Sequence, residues 1–551
     1  MASLREGFEP FALLQVIAID NMDKQKIREK SGHDNTGIRL VEKSKRGILN
    51  VLFGRTMLVI VLLALQVFLL IRMFQSVTSS QIIYIGLQVL NLVLMIHLVN
   101  KNSNPASKLT WILLIVLAPT VGLFLYLLVE LDWGHRLLNS RLGEVLRKTS
   151  TLLPDNADLR EEVRQNAPDL APLSDYLWRN GCFDTYSNTE AEYLPSGEAA
   201  LEAILRELDK AEKFIFMEFF IIDEGEMWGR ILEKLEAKIA QGVEVRVLYD
   251  GTCALFRLPY RYPKMLGALG IQCKMFSPLR PTMSTRYNNR DHRKILVIDG
   301  KVAFTGGVNL ADEYINKKTL YGHWKDVALL LRGEAVRAFT LMFLQMWNID
   351  EKTENFGKYL YVQKTAVPAK GYVNPYCDSP LDDERTGELV YLDIINRAVR
   401  YVHIMTPYLI LDQDMVNALT FAARRGVDVA IILPHIPDKK YAFALAKTHY
   451  RQLMRYGVRI LEYTPGFVHA KTFVSDDIRA VVGTINLDYR SLYLHFECAA
   501  HLYDMPAVHQ VEQDFRETSK KCHQITRDDL EDIPLTTRLA GWLLKVVAPL
   551  M

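Results

Sequence analysis

Two stretches of this sequence repeat one chemically loaded pattern. His292, Lys294 and Asp299 form an HxKxxxxD motif, and His469, Lys471 and Asp476 form it again. A three-residue pattern of this kind arises by chance on the order of once in ten thousand starting positions. Both copies are also followed by GxxN, Gly306 to Asn309 and Gly483 to Asn486, at the same distance from the histidine. On a strand, residues at i and i+2 share a face, so each copy presents an imidazole beside an ammonium group. Two such pairs, two Asn residues and no carboxylate cluster suit displacement at a phosphodiester. An anionic phosphate needs positive charge and hydrogen-bond donors, for which Lys294, Lys471, Asn309, Asn486 and the backbone at Gly306 and Gly307 are the candidates. One neutral imidazole would attack phosphorus while the other, protonated, gives a proton to the leaving alkoxide. A divalent cation would need a carboxylate cage that neither motif offers, so the reaction is expected to use no metal and no other cofactor.

The elements that must position these residues follow from the hydropathy pattern beyond residue 150. Segments 213–222 and 243–249 read as buried strands with a helix, 227–241, between them. That alternation predicts an α/β fold with largely parallel strands. A strand at 400–410, a helix closing at 418–425 and a strand at 426–434 repeat the arrangement, and GVDVAIILP echoes the earlier GVEVRVLYD. Residues 291–310 align with 468–487 without a gap. Two similar halves of one chain pack as a pseudo-dimer, which brings matching side chains together about a pseudo-twofold axis.

With GGVN and GTIN downstream, the two motifs are those of the phospholipase D superfamily. The wider sequence from about residue 80 onward, with PASKLTWILL before the third apolar run and FVHAKTFVSDD at the second motif, resembles bacterial cardiolipin synthases. The resemblance implies two phospholipase D-like repeats behind N-terminal transmembrane helices. It implies ping-pong transfer of a phosphatidyl group from one phosphatidylglycerol to another through a phosphohistidine, with release of glycerol. By the same resemblance the catalytic set is the two motif triads, with His292 as nucleophile, His469 as general acid, and Asp299 and Asp476 in structural or positioning roles. Gly307, Asn309, Thr484 and Asn486 are placed at the phosphate, and Asp326 in HWKD and Glu497 in HFE are the acids that orient the imidazoles. Thr484 departs from the family pattern, where Ser is usual; it keeps the hydroxyl in a more crowded form. With water or a different alcohol as acceptor, the same site would serve a membrane-anchored phospholipase D or another phosphatidyltransferase.

Composition limits the partners. Among 551 residues, 66 Lys and Arg face 64 Asp and Glu, a formal net charge of +2. So balanced a chain offers no global field for nucleic acid, which disfavours a nuclease. Six scattered cysteines without a CxxC pair rule out a disulfide scaffold. A local basic stretch, Arg280, Arg286, Arg290 and Arg293, reads either as a collector of anionic headgroups or as a solvated face. Apolar residues concentrate at the start: 56–71, 82–99 and 109–129 are free of charge, the last interrupted by Pro119 and Gly122, and read as transmembrane segments. Their basic flanks cannot all lie on one side if all three cross fully, so either the third run fails to cross or the C-terminal portion faces outward. Residues 537–551 read as an interfacial helix or as a terminal helix docked on the core. The expected organisation is an N-terminal segment (1–54), transmembrane segments (55–131), a first repeat (150–375), a second repeat (376–525) and a C-terminal apolar, interfacial segment (526–551). The expected setting is a multi-pass protein of the bacterial cell membrane whose partners are the lipid bilayer and its phosphatidylglycerol; nothing in the sequence names a protein partner.

Overall fold

The computed structural model describes residues 81–551 except 131–132, 154, 182, 279–288, 352–354, 361–366, 368, 383 and 551. The expected N-terminal segment and the first apolar run, 56–71, lie outside the described residues.

The first half of the catalytic portion supplies β1 (Thr189–Leu194), β2 (Phe214–Phe219), β3 (Glu244–Asp250), β4 (Gln272–Phe276), β5 (Arg290–Asp291), β6 (Lys294–Ile298), β7 (Val302–Gly306), β8 (His323–Lys325) and β9 (Ala328–Gly333). The second half supplies β10 (Tyr372–Asp378), β11 (Tyr401–Met405), β12 (Asp428–Pro434), β13 (Arg459–Tyr463), β14 (Gly466–Val468), β15 (Thr472–Ser475), β16 (Arg479–Gly483), β17 (His495–Tyr503) and β18 (Cys522–Gln524). One sheet runs β1-β9-β7-β6-β2-β3-β4 and the other β10-β17-β16-β15-β11-β12-β13-β18. Along these two orders β2-β3-β4 and β11-β12-β13 are parallel and the other neighbours are antiparallel; the short pairs β5–β17 and β8–β14 are parallel as well. The sheets are therefore mixed, which corrects the expectation of largely parallel strands. The helix Glu226–Ala240 crosses over between β2 and β3 and makes them parallel, whereas a tight turn at 299–301 joins β6 to β7, and a hairpin is antiparallel by construction.

Strand side chains alternate between faces. Phe214 and Phe216 enter a core shared by the two sheets, while Ile215 and Met217 pack beneath the outer helices of the first half. The helix Val336–Trp347 lies in that shared core and is buried at every position but Arg337; its Phe343 stacks on Phe216 at 4.7 Å. Truncating a ring so enclosed costs roughly 3–5 kcal/mol, so the two halves behave as one body. Short strands stitch the halves together next to the motifs. β5 pairs with the start of β17, and β8 pairs with β14. They fix the chain immediately before His292 and His469.

The third apolar run is not one span. Helix Pro105–Leu117 ends at Ala118 (φ −139°, ψ 74°) and helix Pro119–Glu130 begins at once, because a proline lacks an N–H and disfavours helical backbone in the residue before it. A Cβ at Gly122 would stand 2.7 Å from the Ile115 Cα, so glycine is what lets the two helices close into a hairpin. The rings of Trp111 and Tyr126 meet edge to face at 5.4 Å across it. At 1.5 Å per residue each arm reaches about 20 Å, short of a hydrocarbon core of about 30 Å. Among the described residues no helix is long and apolar enough to cross a membrane. The C-terminal helix Leu535–Val547 is docked: its Gly541 lies against the Ala444 carbonyl, and its Val546 carbonyl accepts from the Thr110 hydroxyl at 2.6 Å. The same helix leaves Trp542 and Leu543 exposed.

Asp299 and Asp476 stand at the far ends of the motif strands, both with positive φ, 55° and 58°. Asp299 accepts from the backbone N–H groups of Glu212, Lys213 and Phe214 at 2.7 to 2.8 Å. Asp476 does the same for Val399, Arg400 and Tyr401 at 2.8 to 2.9 Å. Each carboxylate ties its motif strand to the neighbouring strand. Asp299→Ala is expected to lower unfolding free energy by about 2–3 kcal/mol and Asp476→Ala, whose donors are closer to water, by about 1 kcal/mol. Shifts of the chemical-unfolding midpoint in detergent check both; a larger loss at Asp476 would contradict the assignment.

Candidate active site

The stitching strands bring both motifs to one place. β5 delivers His292, whose backbone N–H donates to the Phe496 carbonyl at 3.0 Å. β14 delivers His469, whose N–H donates to the Lys325 carbonyl at 2.7 Å. Consequently each imidazole meets the carboxylate of the other half. His292 Nδ1 lies 2.8 Å from Glu497 Oε1, and His469 Nδ1 lies 2.7 Å from Asp326 Oδ2. An ionised carboxylate places the proton on Nδ1, leaving Nε2 of each ring for a substrate. All four groups are buried, as are Lys294 and Lys471. Lys294 Nζ donates to the His292 carbonyl at 2.5 Å, and Lys471 Nζ donates to the His469 carbonyl and stands 2.9 Å from His469 Nδ1.

Burial governs the ionisation of this group. It pushes Lys294 down to about 8 and Lys471 down to about 7. It also pushes His469 down to about 4, with Lys471 adding to the effect and Asp326 opposing it. His292 falls well below the ordinary imidazole value through burial and then Lys294, and the charges of Lys471 and His469 in the other motif contribute. Burial raises Glu497 well above the usual carboxylate range, while Lys294 and the Thr484 hydroxyl pull it back toward the ionised form that keeps the proton on His292 Nδ1. In the free site both imidazoles are neutral at physiological pH and both ammonium groups are poised to lose their protons.

The residues expected at the phosphate are differently employed. Gly307 N–H donates to the Val327 carbonyl at 2.9 Å, and a Cβ there would fall 1.9 Å from Asp326 Oδ1; the glycine is required by the close approach of the orienting acid. Asn309 Oδ1 accepts from Ile221 N–H at 3.0 Å and its Nδ2 donates to the Tyr314 hydroxyl at 2.8 Å. The Thr484 hydroxyl donates to Glu497 Oε2 and accepts from Cys498 N–H. Asn486 differs, because its Oδ1 is buried without a partner. In the basic stretch, Arg293 is buried against Glu218 at 2.6 Å and Arg290 donates to the Ser277 carbonyl at 3.1 Å. Both are structural ion-pair or hydrogen-bonding groups rather than headgroup collectors; Arg280 and Arg286 lie outside the described residues. Cys498 is buried and pushed up to about 12, so it is no nucleophile.

Two flanking rings escaped the sequence reading. Trp324 lies 5.3 Å from the His469 ring and His495 lies 5.4 Å from the His292 ring, centroid to centroid. The duplication held the signal: Trp324 precedes Asp326 by two residues as His495 precedes Glu497. Residues two apart on a strand share a face. Among the described residues Trp324 Nε1 and both nitrogens of His495 are buried without hydrogen-bond partners, with His495 Nδ1 3.7 Å from Glu497 Oε1. Among the described residues one set has the spacing of metal ligands, His292, His495 and Glu497, with ligand atoms within 4.8 Å of one another. The His292–Glu497 contact in it already has the geometry of an imidazole oriented by an acid.

Two HxKxxxxD strands converging on one buried site between mixed sheets define a protein of the phospholipase D superfamily. Residues 204–347 and 391–519 match the family described as cardiolipin synthase, PLD-like domain, and residues 89–129 match the phospholipase D-nuclease N-terminal family. The cardiolipin synthase of Geobacillus kaustophilus is 32% identical over 88% of this chain and 94% of its own length. Cardiolipin synthase 2 of Bacillus cereus is 32% identical over 82% of this chain and 88% of its own. An uncharacterised protein of Streptococcus mutans is 50% identical over 83% of this chain and 99% of its own. Phosphatidylserine synthase of Haemophilus influenzae shares the fold, with a TM-score of 0.54 at 16% identity, covering 69% of this chain and 99% of that one. The chain belongs to the cardiolipin synthase family, among the phosphatidyltransferases of the phospholipase D superfamily.

The exchanged acids make a specific demand. Glu497→Gln and Asp326→Asn keep size but permit the wrong imidazole tautomer, and each is expected to lower kcat by about 10²–10⁴ with little change in KM. Initial rates on phosphatidylglycerol micelles measure this, and wild-type kcat in either variant would refute it. The lysines set the pH dependence. Both must be protonated to attract an anionic diester, and kcat/KM reports the free enzyme. It should therefore fall as pH rises through about 7 and 8, the values of Lys471 and Lys294. A bound phosphate favours the charged lysines, so kcat should persist to higher pH.

Proposed function

We propose that this protein is a cardiolipin synthase that transfers a phosphatidyl group between two phosphatidylglycerol molecules and releases glycerol. The observation that carries the reading is the pair of buried neutral imidazoles, each with Nδ1 on an acid from the other half and both beside depressed lysines. His292 is the nucleophile: among the two rings it is the one held neutral without an acid's charge raising it among its main influences, whereas Asp326 favours the protonated form of His469.

In the first half-reaction His292 Nε2 forms a bond to phosphorus as the bond to the headgroup glycerol oxygen breaks. Entry of the anionic diester, together with the Asp326 charge, favours protonation of His469 at Nε2, and His469 gives that proton to the departing oxygen. In the second, the hydroxyl of another phosphatidylglycerol gives its proton to His469 and attacks phosphorus, and His292 leaves. The bonds broken and formed are alike in kind, so added glycerol drives the reaction backwards. Lys294, Lys471 and Asn486 hold the phosphoryl oxygens through charge-assisted and amide hydrogen bonds. Asn309, Thr484 and Gly307 hold the site from behind, and Asp299 and Asp476 fix the motif strands.

The proposed location is the bacterial cell membrane, and the catalytic portion works at its surface. Ile85, Val89 and Ile96 of the helix Gln81–Asn100, Leu109 and Leu117 of the hairpin, and Trp542 and Leu543 of the C-terminal helix are all exposed large apolar side chains. The Thr110–Val546 hydrogen bond joins the hairpin to the C-terminal helix, and Asn104 at the hairpin's start donates to the Tyr493 hydroxyl at 3.0 Å. Such a surface, buried in the headgroup and acyl boundary, would hold the site where lipid hydroxyls are concentrated. That concentration favours transfer over hydrolysis.

Purified protein given phosphatidylglycerol bilayers alone is expected to form cardiolipin and glycerol, to be reversed by added glycerol, and to remain active in excess chelator. His292→Ala and His469→Ala should each reduce turnover by at least about 10³ while the fold persists. Mainly phosphatidic acid as product would favour the phospholipase D reading, and activity restored by one divalent ion after chelation would bring the His292, His495 and Glu497 set into the chemistry.

A further inference from the structure

The two halves are not equivalent just beyond their GxxN segments. In the ungapped register Arg490 falls opposite Glu313. Glu313 is buried and accepts from the Arg257 guanidinium at 2.7 Å. Arg490 is exposed, and among the described residues it forms no ion pair. It borders a cavity of about 260 Å³ together with Lys439, whose ammonium lies 5.0 Å from the centre of the Tyr408 ring. Asp488 also borders this cavity, but its carboxylate accepts from the Ser491 N–H at 2.8 Å and caps the short helix Tyr489–Tyr493.

The cavity changes character across its width. Lys439 and Arg490 supply positive charge, while Ile410, Leu445, Tyr489 and Ala548 supply apolar wall. Leu445, Tyr489, Ala548 and Leu544 belong to one packed cluster, so the wall continues into the C-terminal helix that exposes Trp542 and Leu543. A cationic end joined to an apolar end that leads to an exposed apolar helix matches an anionic phospholipid, phosphate at one end and acyl chain at the other. The cationic end lies near the reaction centre in sequence. Arg490 follows Asn486 by four residues. Buried His495, with both ring nitrogens unpartnered, stands beside His292, and Arg490 is the charge that acts on it most strongly.

We propose that this cavity is the binding site of the acceptor phosphatidylglycerol, with its phosphate on Lys439 and Arg490 and an acyl chain along Ile410, Leu445 and Ala548. The headgroup glycerol of a lipid held there extends from the phosphate toward the reaction centre, where its terminal hydroxyl takes the phosphatidyl group. The donor lipid uses the motif lysines, and the acceptor uses a second pair of cations. This inference rests on the function proposed above and adds the residues that select a lipid as acceptor over glycerol or water.

The test compares two reactions of the same phosphorylated enzyme in the same phosphatidylglycerol vesicles: formation of cardiolipin, and incorporation of labelled glycerol into phosphatidylglycerol. Two variants of the full chain are used, a double Lys439→Gln and Arg490→Gln, which removes the cationic end, and Leu445→Trp, which fills the apolar end. The ratio of cardiolipin formed to glycerol exchanged is expected to fall about tenfold in each, through the loss of one or two charge-assisted contacts in the first and exclusion of the acyl chain in the second. An unchanged ratio, whether both reactions persist or both decline together, overturns the proposal. Wild-type protein that exchanges glycerol but makes no cardiolipin would instead refute the cardiolipin synthase reading itself.

Discussion

Each imidazole of this site is oriented by an acid from the other half of the chain, and the rest of the architecture serves that exchange. A histidine can hold a phosphoryl group or pass a proton only if one nitrogen is reserved for the task. Glu497 reserves it for His292 and Asp326 for His469. Neither half contains a complete oriented histidine by itself. The short pairings of β5 with β17 and of β8 with β14 exist at the two places where a motif must cross to its acid, and the shared core around Val336–Trp347 keeps those crossings in register. Duplication followed by reciprocal exchange gives one site two similar bases, which is what a double displacement uses.

The surroundings of the exchange are arranged to be uncomfortable when empty. Two lysines, two histidines and two acids are buried together, and burial costs every charged form among them. The result is visible in Lys471 at about 7 and Lys294 at about 8. An anionic phosphate entering this space restores the charge that burial disfavours, so binding and protonation reinforce one another. The acids are spent on orientation, and their own supports are committed: Thr484 to Glu497, and Gly307 to the room that Asp326 needs. Substrate therefore meets donors that have few competing acceptors.

Much of this was legible in the sequence because the motif residues are chemically rare and repeated at one spacing. His292, Lys294, His469 and Lys471 announce themselves, and the ungapped repeat announces that the site is shared. Partner choice was less legible. Residue type says that Asn309 and Thr484 can bind phosphate, but only the fold shows that Ile221, Tyr314 and Glu497 have taken their hydrogen bonds. Arg293 looks like a surface cation until Glu218 arrives from a neighbouring strand. The mixed sheets were misread because helix-separated strands dominate the hydropathy pattern while the tight turn after the motif strand, which reverses the chain, occupies only three residues. Pro119 and Gly122 were visible as interruptions; their consequence, a closed hairpin, depends on Gly122 meeting the Ile115 backbone.

A twofold-symmetric site cannot by symmetry distinguish the lipid that gives from the lipid that receives, so any distinction must arise where the halves diverge. The divergence begins at the edges of the reaction centre. Trp324 offers one unpartnered N–H beside His469, whereas His495 offers a neutral ring that donates on one nitrogen and accepts on the other beside His292. Four residues beyond GxxN, an acid locked to Arg257 in one half is an exposed cation in the other. The C-terminal helix packs on the second half, where Gly541 meets Ala444, and on the hairpin through Thr110, and so extends an apolar wall on that side. The pseudo-twofold holds at the imidazoles and breaks in the surrounding shell, so a site with two similar bases still presents two chemically different approaches to a substrate.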